Sequence, residues 1–297
     1  MQVFITGATG FIGANVVREL LAAGHTVTAL ARSDRSAATL AARGIAVVRG
    51  DIADTRVLRT AAAAADGTIH CAFSHDDLTK FLENAAVEEK ALEALTGALE
   101  GSGKPLVISG GVLGVKTEHD DPAFDFPRIG AMRRALGSAT CGVRVSLLRN
   151  APVTHGAHDV HGFMPTLIGI ARATGVAGYV GDGANLWPAS DVRDTACLYR
   201  LALEKAPAGS ALHAVGDTGI STRAIAEVLG RHLEVPVAPI SDPEAHFGPF
   251  FARVMQMGGA SQNAITKELM GWQPVHPGLI ADLDSGHYFE LATATHA

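Results

Sequence analysis

The residues with the plainest chemistry in this chain are three glycines at fixed spacing. Gly7, Gly10 and Gly13 stand in Thr6-Gly7-Ala8-Thr9-Gly10-Phe11-Ile12-Gly13, directly after the apolar run Val3-Phe4-Ile5. Each meets a different steric demand: Gly7 the tight turn out of a strand, Gly10 the approach of backbone to a pyrophosphate, Gly13 the close packing of helix on strand. Free amides at the start of the following helix, with its dipole, then hold phosphate oxygens. Gly7, Thr9, Gly10, Phe11, Ile12 and Gly13 are therefore expected to bind a dinucleotide. Which dinucleotide is set at the end of the second strand, Ala29-Leu30-Ala31-Arg32-Ser33. An NAD site needs a carboxylate there for the ribose 2′-hydroxyl, and Ala31 offers none. Arg32 and Ser33, with Arg35 nearby, suit a 2′-phosphate through charge-assisted hydrogen bonds, while Asp34 comes late and beside two arginines. NADP is the expected cofactor. The competing reading makes Arg32 a solvated loop charge.

Hydride transfer to a carbonyl leaves charge on oxygen, which needs a proton or a positive field. Histidine titrates near neutrality and suits that task. His75 follows the fourth strand at the carboxyl edge of the sheet, where ligands sit. His155, His158 and His161 occupy the loop after the sixth strand. Each also admits a structural role. His158 and His161 are spaced i, i+3 but lack a convincing third ligand, so no metal is expected.

These residues need a scaffold, and strand and helix signals alternate to supply one. Apolar runs at Val3–Thr6, Thr26–Leu30, Ala46–Arg49, Thr68–Ala72, Leu106–Ser109 and Val143–Leu148 read as strands. Helical stretches lie between them at Ala14–Ala23, Ser36–Ala42, Thr55–Ala65 and Asp76–Glu100, the last closed by Gly101-Ser102-Gly103. Such βαβ alternation predicts an α/β fold, a doubly wound parallel Rossmann sheet. After Asn150 the rhythm changes, and a smaller C-terminal substrate-binding lobe is expected. The division runs 1–150 for the nucleotide domain, with about 186–216 returning to it, and 151–185 plus 217–297 for the lobe. Ser221 is placed to cap a helix Thr222–Leu233. Phe247–Met257 reads as an apolar wall or as core packing; facing the cleft, it would favour an apolar substrate.

Composition narrows the partners. A chain of 297 residues with 47% hydrophobic content and a formal net charge of −6 presents no basic field for nucleic acid or anionic membrane. No apolar run approaches membrane-spanning length. Cys71, Cys141 and Cys197 are scattered and odd in number, as for reduced thiols in a cytosol. No signal-peptide pattern is seen. A cytoplasmic enzyme acting on a small molecule is the expectation.

Several motifs together resemble the extended and atypical short-chain dehydrogenase/reductase superfamily. Beside the glycine loop, Gly50-Asp51-Ile52 resembles the segment whose Asp contacts adenine. Ile69-His70-Cys71-Ala72, leading into Phe73, is similar to the fourth-strand segment beside the cofactor ribose. Ser109-Gly110-Gly111-Val112-Leu113-Gly114 resembles S-x-x-V-Y-G, which implies Ser109 as the catalytic serine. Leu148-Arg149-Asn150-Ala151-Pro152-Val153 resembles the stretch feeding the nicotinamide pocket, implying Asn150, Ala151 and Val153. Leu269-Met270-Gly271-Trp272-Gln273-Pro274 matches a late L-x-G-W-x-P. The likeness spans nearly the whole chain and implies an NAD(P)-dependent oxidoreductase. In related proteins the long helix after the fourth strand pairs with its symmetry mate, so a homodimer through Asp76–Glu100 is a further implication.

The family's Tyr-x-x-x-Lys pair is missing. The corresponding stretch, Phe126 to Arg134, holds neither residue type, and Tyr179, Tyr199 and Tyr288 lie in other segments. Candidates for the lost function are Ser109 with a histidine, His75 ahead of His155 and His161, and Arg128 for electrostatic stabilisation. The resulting reading is NADPH-dependent reduction of a carbonyl or related polarised double bond in a small, apolar metabolite. A nucleotide-sugar epimerase or dehydratase, and a non-catalytic NADP(H)-binding regulator or scaffold, are the alternatives.

Overall fold

The computed structural model describes residues 1–74, 80–122 and 126–290. Its first half alternates β1 (Gln2–Thr6), α1 (Phe11–Ala22), β2 (Thr26–Ala31), α2 (Asp34–Ala41), β3 (Ala46–Arg49), α3 (Thr55–Ala64), β4 (Gly67–His70), α4 (Phe81–Leu99), β5 (Pro105–Gly111), α5 (Pro127–Gly137) and β6 (Arg144–Asn150). Then come β7 (Val153–His155), α6 (Phe163–Thr174), β8 (Ala177–Tyr179), β9 (Leu186–Asp191), α7 (Val192–Lys205), β10 (Ser210–Ala214) and β11 (Asp217–Ser221). The chain closes with α8 (Thr222–Leu233), β12 (Val237–Pro239), α9 (Pro243–Gln256), α10 (Ala264–Met270), α11 (Leu279–Asp284) and α12 (His287–Glu290). The seven-stranded sheet runs β3-β2-β1-β4-β5-β6-β10 with every neighbouring pair parallel. The α/β Rossmann-like fold is thus present.

Successive strand residues face opposite sides, so each strand feeds two cores. Ile5, Val107 and Leu148 pack with Val16 and Leu20 of α1 and Leu198 and Tyr199 of α7. Phe4, Leu106 and Ile108 pack with Leu58 of α3, Leu92 and Leu95 of α4 and Met132 of α5. The strand order reverses between β1 and β4, opening a crevice at the carboxyl ends of the strands.

A third core, around Trp187, Phe251 and Met255, belongs to the smaller lobe, with its own strand groups β11-β9-β7 and β12-β8. Ser221 caps α8, accepting from Ala224 N at 3.2 Å. Of the 186–216 segment, β10 joins the main sheet and α7 packs on it, whereas β9 pairs with β7 and β11. Met270 and Trp272, placed by sequence in the smaller lobe, pack into the α1/α7 core, with Trp272 Nε1 donating to Asp194 O at 2.9 Å. In the Phe247–Met257 stretch, Phe247, Phe251, Val254 and Met255 are buried in the lobe's core, while Phe250 and Met257 are exposed. Among the described residues no helix is long and apolar enough to cross a membrane.

Candidate functional site

The glycine loop joins β1 to α1 as a tight cradle. Gly7 has φ 76°, and a Cβ there would lie 2.8 Å from Ala72 N and Cys71 C, so only glycine lets β1 pass under the end of β4. A Cβ on Gly13 would lie 2.1 Å from Gly7 O. Over Gly10 the space is open, the nearest atom outside its own turn among the described residues being Gly7 O at 3.4 Å. Gly10 is also the N-cap of α1, with no side-chain cap and no acidic residue in the first turn. The opening amides of α1 are therefore left for an anion, which fits a pyrophosphate.

At the end of β2, Arg32 extends into solvent, its side chain 71% exposed and its Nε 3.9 Å from Asp51 Oδ2. Asp51 also accepts from Ala53 N at 2.9 Å, and Ile52 packs against the α3/α4 core. Ser33 caps α2, accepting from Ser36 N at 3.1 Å. Arg49 of β3 binds the Asp34 carboxylate at 2.6 Å and the Ser33 carbonyl at 2.6 Å. The nearest acid is thus engaged by an arginine, while Arg32 remains extended.

The ends of β4, β5 and β6 carry a chain of hydrogen bonds. Asn150 Nδ2 donates to Tyr199 OH at 3.0 Å, Tyr199 OH lies 2.6 Å from Ser109 Oγ, and Ser109 Oγ donates to His70 O at 2.9 Å. The Ser109 hydroxyl is therefore turned toward α7. Burial pushes the Tyr199 phenol well above its usual value and the Cys71 thiol up to about 11. Ala72 N donates to Thr6 Oγ1 at 3.3 Å, fixing the exit of β4 beside the glycine loop. His70 Nδ1 lies 2.8 Å from the same oxygen, and its buried Nε2 has no hydrogen-bond partner among the described residues. Burial, aided by the charge of Arg128, holds the His70 pKa down at about 4.

On the opposite face of β5, Arg128 of α5 reaches the same edge. Its Nε and Nη2 donate to Glu88 of α4 at 2.6 and 3.0 Å, and Nη2 stands 3.5 Å from the carbonyl of Ser109. The guanidinium carbon lies 4.1 Å from the centroid of the Phe73 ring. Phe73, Phe81 and Phe126 continue as a row of rings at 5.4 and 5.3 Å. Glu88 is buried, which pushes its carboxyl up against the opposing pull of Arg128.

Comparisons with known proteins agree with this architecture. The NAD(P)H-binding family matches residues 7–140. An uncharacterized protein of Schizosaccharomyces pombe is 40% identical over 97% of this chain and 100% of its own length. Another, of Saccharomyces cerevisiae, is 40% identical over 97% of this chain and 99% of its own. The crystal structure of a dTDP-glucose 4,6-dehydratase double mutant from Streptomyces venezuelae, with NAD bound, superposes with TM-score 0.75 at 20% identity, covering 98% of both chains. The chain belongs to one family with these two full-length relatives, carries the NAD(P)H-binding pattern in its first half, and shares the fold of the extended short-chain dehydrogenases/reductases. It is an NAD(P)-binding, oxidoreductase-like protein.

On this NAD(P)H-binding fold the candidate histidines fall in different places. His75 lies outside the described residues. His155, at the end of β7, is fully buried, with Nδ1 2.8 Å from Asp282 Oδ2 of α11. Burial alone would raise Asp282, yet the hydrogen bond and charge of His155, joined by His287, hold it below the usual carboxylate range. His158, with φ 71°, and His161 are exposed in the following loop. Ala151 donates to Ala214 O at 3.3 Å, and Val153 is buried at the start of β7. Two site residues escaped the sequence. Tyr199 supports Ser109 from a helix 90 residues away, and Glu88 anchors Arg128 from the buried side of α4. The signal for Glu88 was its spacing, three after Ala85 and four before Leu92, on the buried stripe of α4.

Proposed function

We propose that this chain is an NADPH-dependent oxidoreductase that reduces a carbonyl or related polarised double bond of a small, apolar metabolite. The observation that carries the proposal is the uncapped start of α1 over the Gly7–Gly13 cradle, on the sheet edge that ends at Arg128. The α1 amides hold the pyrophosphate, and Arg32 with Ser33 takes the 2′-phosphate. Asp51 and Ile52 border the adenine; Cys71, Ala72, Phe73, Asn150, Ala151 and Val153 border the nicotinamide half. When bound, the reduced nicotinamide supplies a hydride. Arg128 faces the charge that then develops on the substrate oxygen, Ser109 fixes the end of β5, and the proton comes from water that His75 orients. His155, tied to Asp282, positions the loop carrying His161. Free thiols at Cys71, Cys141 and Cys197 suit a reducing cytoplasm, and the α4 surface suits a homodimer.

The test is NADPH oxidation across a panel of ketones, aldehydes and enones, beside titration of NADPH and NADH. Turnover with preference for NADPH is expected. Tight binding with no turnover of any acceptor would instead favour a regulatory role.

A further inference from the structure

Hydride acceptors differ in the charge they leave behind. An isolated ketone becomes an alkoxide, whose conjugate acid is about as weak as water itself. An enone or quinone becomes an enolate or phenolate with its charge spread over conjugated atoms, and a phenol has a pKa of about 10. The alkoxide demands an acid in the site. The delocalised anion demands only a cation, since water can protonate it afterwards.

Among the described residues, the edge formed by β4, β5 and β6 holds a cation but no acid for neutral pH. His70 titrates at about 4 and is neutral there. Tyr199 is buried with its phenol raised, and the Ser109 hydroxyl is engaged by His70 O and Tyr199 OH. Arg128 stays charged. Glu88, facing it from α4, fixes Nε and Nη2; His70 is the titratable neighbour on β4. Arg128 Nη1 has no protein partner among the described residues, and the side chain is 19% exposed. Beside it runs the Phe73, Phe81 and Phe126 row, ending in a Phe126 that is 41% exposed. The rings, inclined to one another by 55° and 68°, make an apolar wall next to a positioned guanidinium, which suits an apolar acceptor with one oxygen.

We propose that Arg128, held by Glu88 against Phe73, is the oxyanion-binding catalytic residue for a planar conjugated carbonyl, an enone or a quinone. This rests on the oxidoreductase assignment above. In an enone the hydride forms a C–H bond at the β-carbon, and the C=C π pair shifts to make an enolate whose oxygen accepts from Arg128. Water protonates the α-carbon, and the reduced nicotinamide has been oxidised by two electrons. In a quinone the hydride goes to one carbonyl oxygen, the ring electrons shift to make it aromatic, and the other oxygen, a phenolate accepting from Arg128, takes a proton from water.

One arm of the test needs no turnover. 4-Nitrophenol is titrated by its phenolate absorbance in the presence of the protein and NADP⁺. The bound dye is expected to ionise at a pH about one unit lower than the free dye, and Arg128→Met should abolish the shift. The other arm compares enones and quinones with saturated ketones of the same skeleton. Conjugated acceptors should be preferred by at least about 100-fold, and Arg128→Met should lower their kcat/KM by about 100- to 1000-fold with NADPH affinity retained. Because that variant leaves Glu88 buried and unpaired, Arg128→Met with Glu88→Gln serves as the folded control and should show the same losses. Identical dye titrations for parent and variants overturn the proposal. Saturated ketones turned over as fast overturn it too while leaving the oxidoreductase assignment standing, whereas NADPH consumption with neither class overturns both.

Discussion

His70 carries a neutral imidazole into the sheet, 1% exposed, between Thr6 and the charge of Arg128. Its pKa falls from 6.5 in the unfolded chain to about 4 in the fold, so the unfolded chain binds the extra proton between those values. Stability from this residue is full above pH 6.5 and is lost as pH falls toward 4, by up to about 3 kcal/mol. Urea midpoints measured across that window should decline in the parent and decline less in His70→Asn. Parallel curves for the two proteins would refute the assignment. At this scale the sequence exposes residue type but not partner. Arg128 was visible as a cation near a missing tyrosine, while Tyr199 appeared misplaced because α7 meets Ser109 only once the sheet is assembled.

Among the elements, the β1–α1 unit was the most legible, because its constraints are local. Apolar run, glycine spacing and amphipathic helix follow one another within Val3 to Leu21, and the structure adds the contact distances. Replacing a helical glycine by alanine ordinarily favours a helix by about 1 kcal/mol. At Gly13 the sign should reverse, since the added carbon would stand 2.1 Å from the backbone oxygen of Gly7, which no side-chain rotation relieves. Gly13→Ala is expected to cost about 1–3 kcal/mol and to weaken NADPH binding with it. Calorimetry and a thermal midpoint check both; a parent-like variant would mean the loop can part from the helix freely. Elements after Asn150 were less legible for the opposite reason. Leu186–Asp191 lies within a segment that otherwise serves the main sheet, yet pairs with Val153–His155 and Asp217–Ser221, a choice made by contacts distant in sequence. Met270 and Trp272 likewise return to the first core through Asp194, which accepts from Val275 and His276 at 3.1 and 3.0 Å.

Over the whole molecule, the proposed cofactor would touch the ends of β1, β2, β4 and β6 at once, so its binding free energy should stabilise the entire sheet. A ligand at about 100 times its Kd adds about 2.7 kcal/mol, which should raise the thermal midpoint by roughly 4–8 °C in a chain of this size. Arg32 decides how that stabilisation divides between cofactors. A charge-assisted contact to the 2′-phosphate is worth about 1.5–3 kcal/mol, one to two decades of affinity. At the same NADPH concentration Arg32→Ala should therefore retain about half of the shift or less, while the smaller shift with NADH stays where it was. The exposed guanidinium makes the substitution nearly neutral for the free protein, so the comparison reads binding and not folding. Differential scanning fluorimetry on parent and variant with each cofactor supplies all four numbers. Equal shifts from NADPH and NADH in the parent would show that Arg32 is a solvated charge and that the 2′-position goes unread.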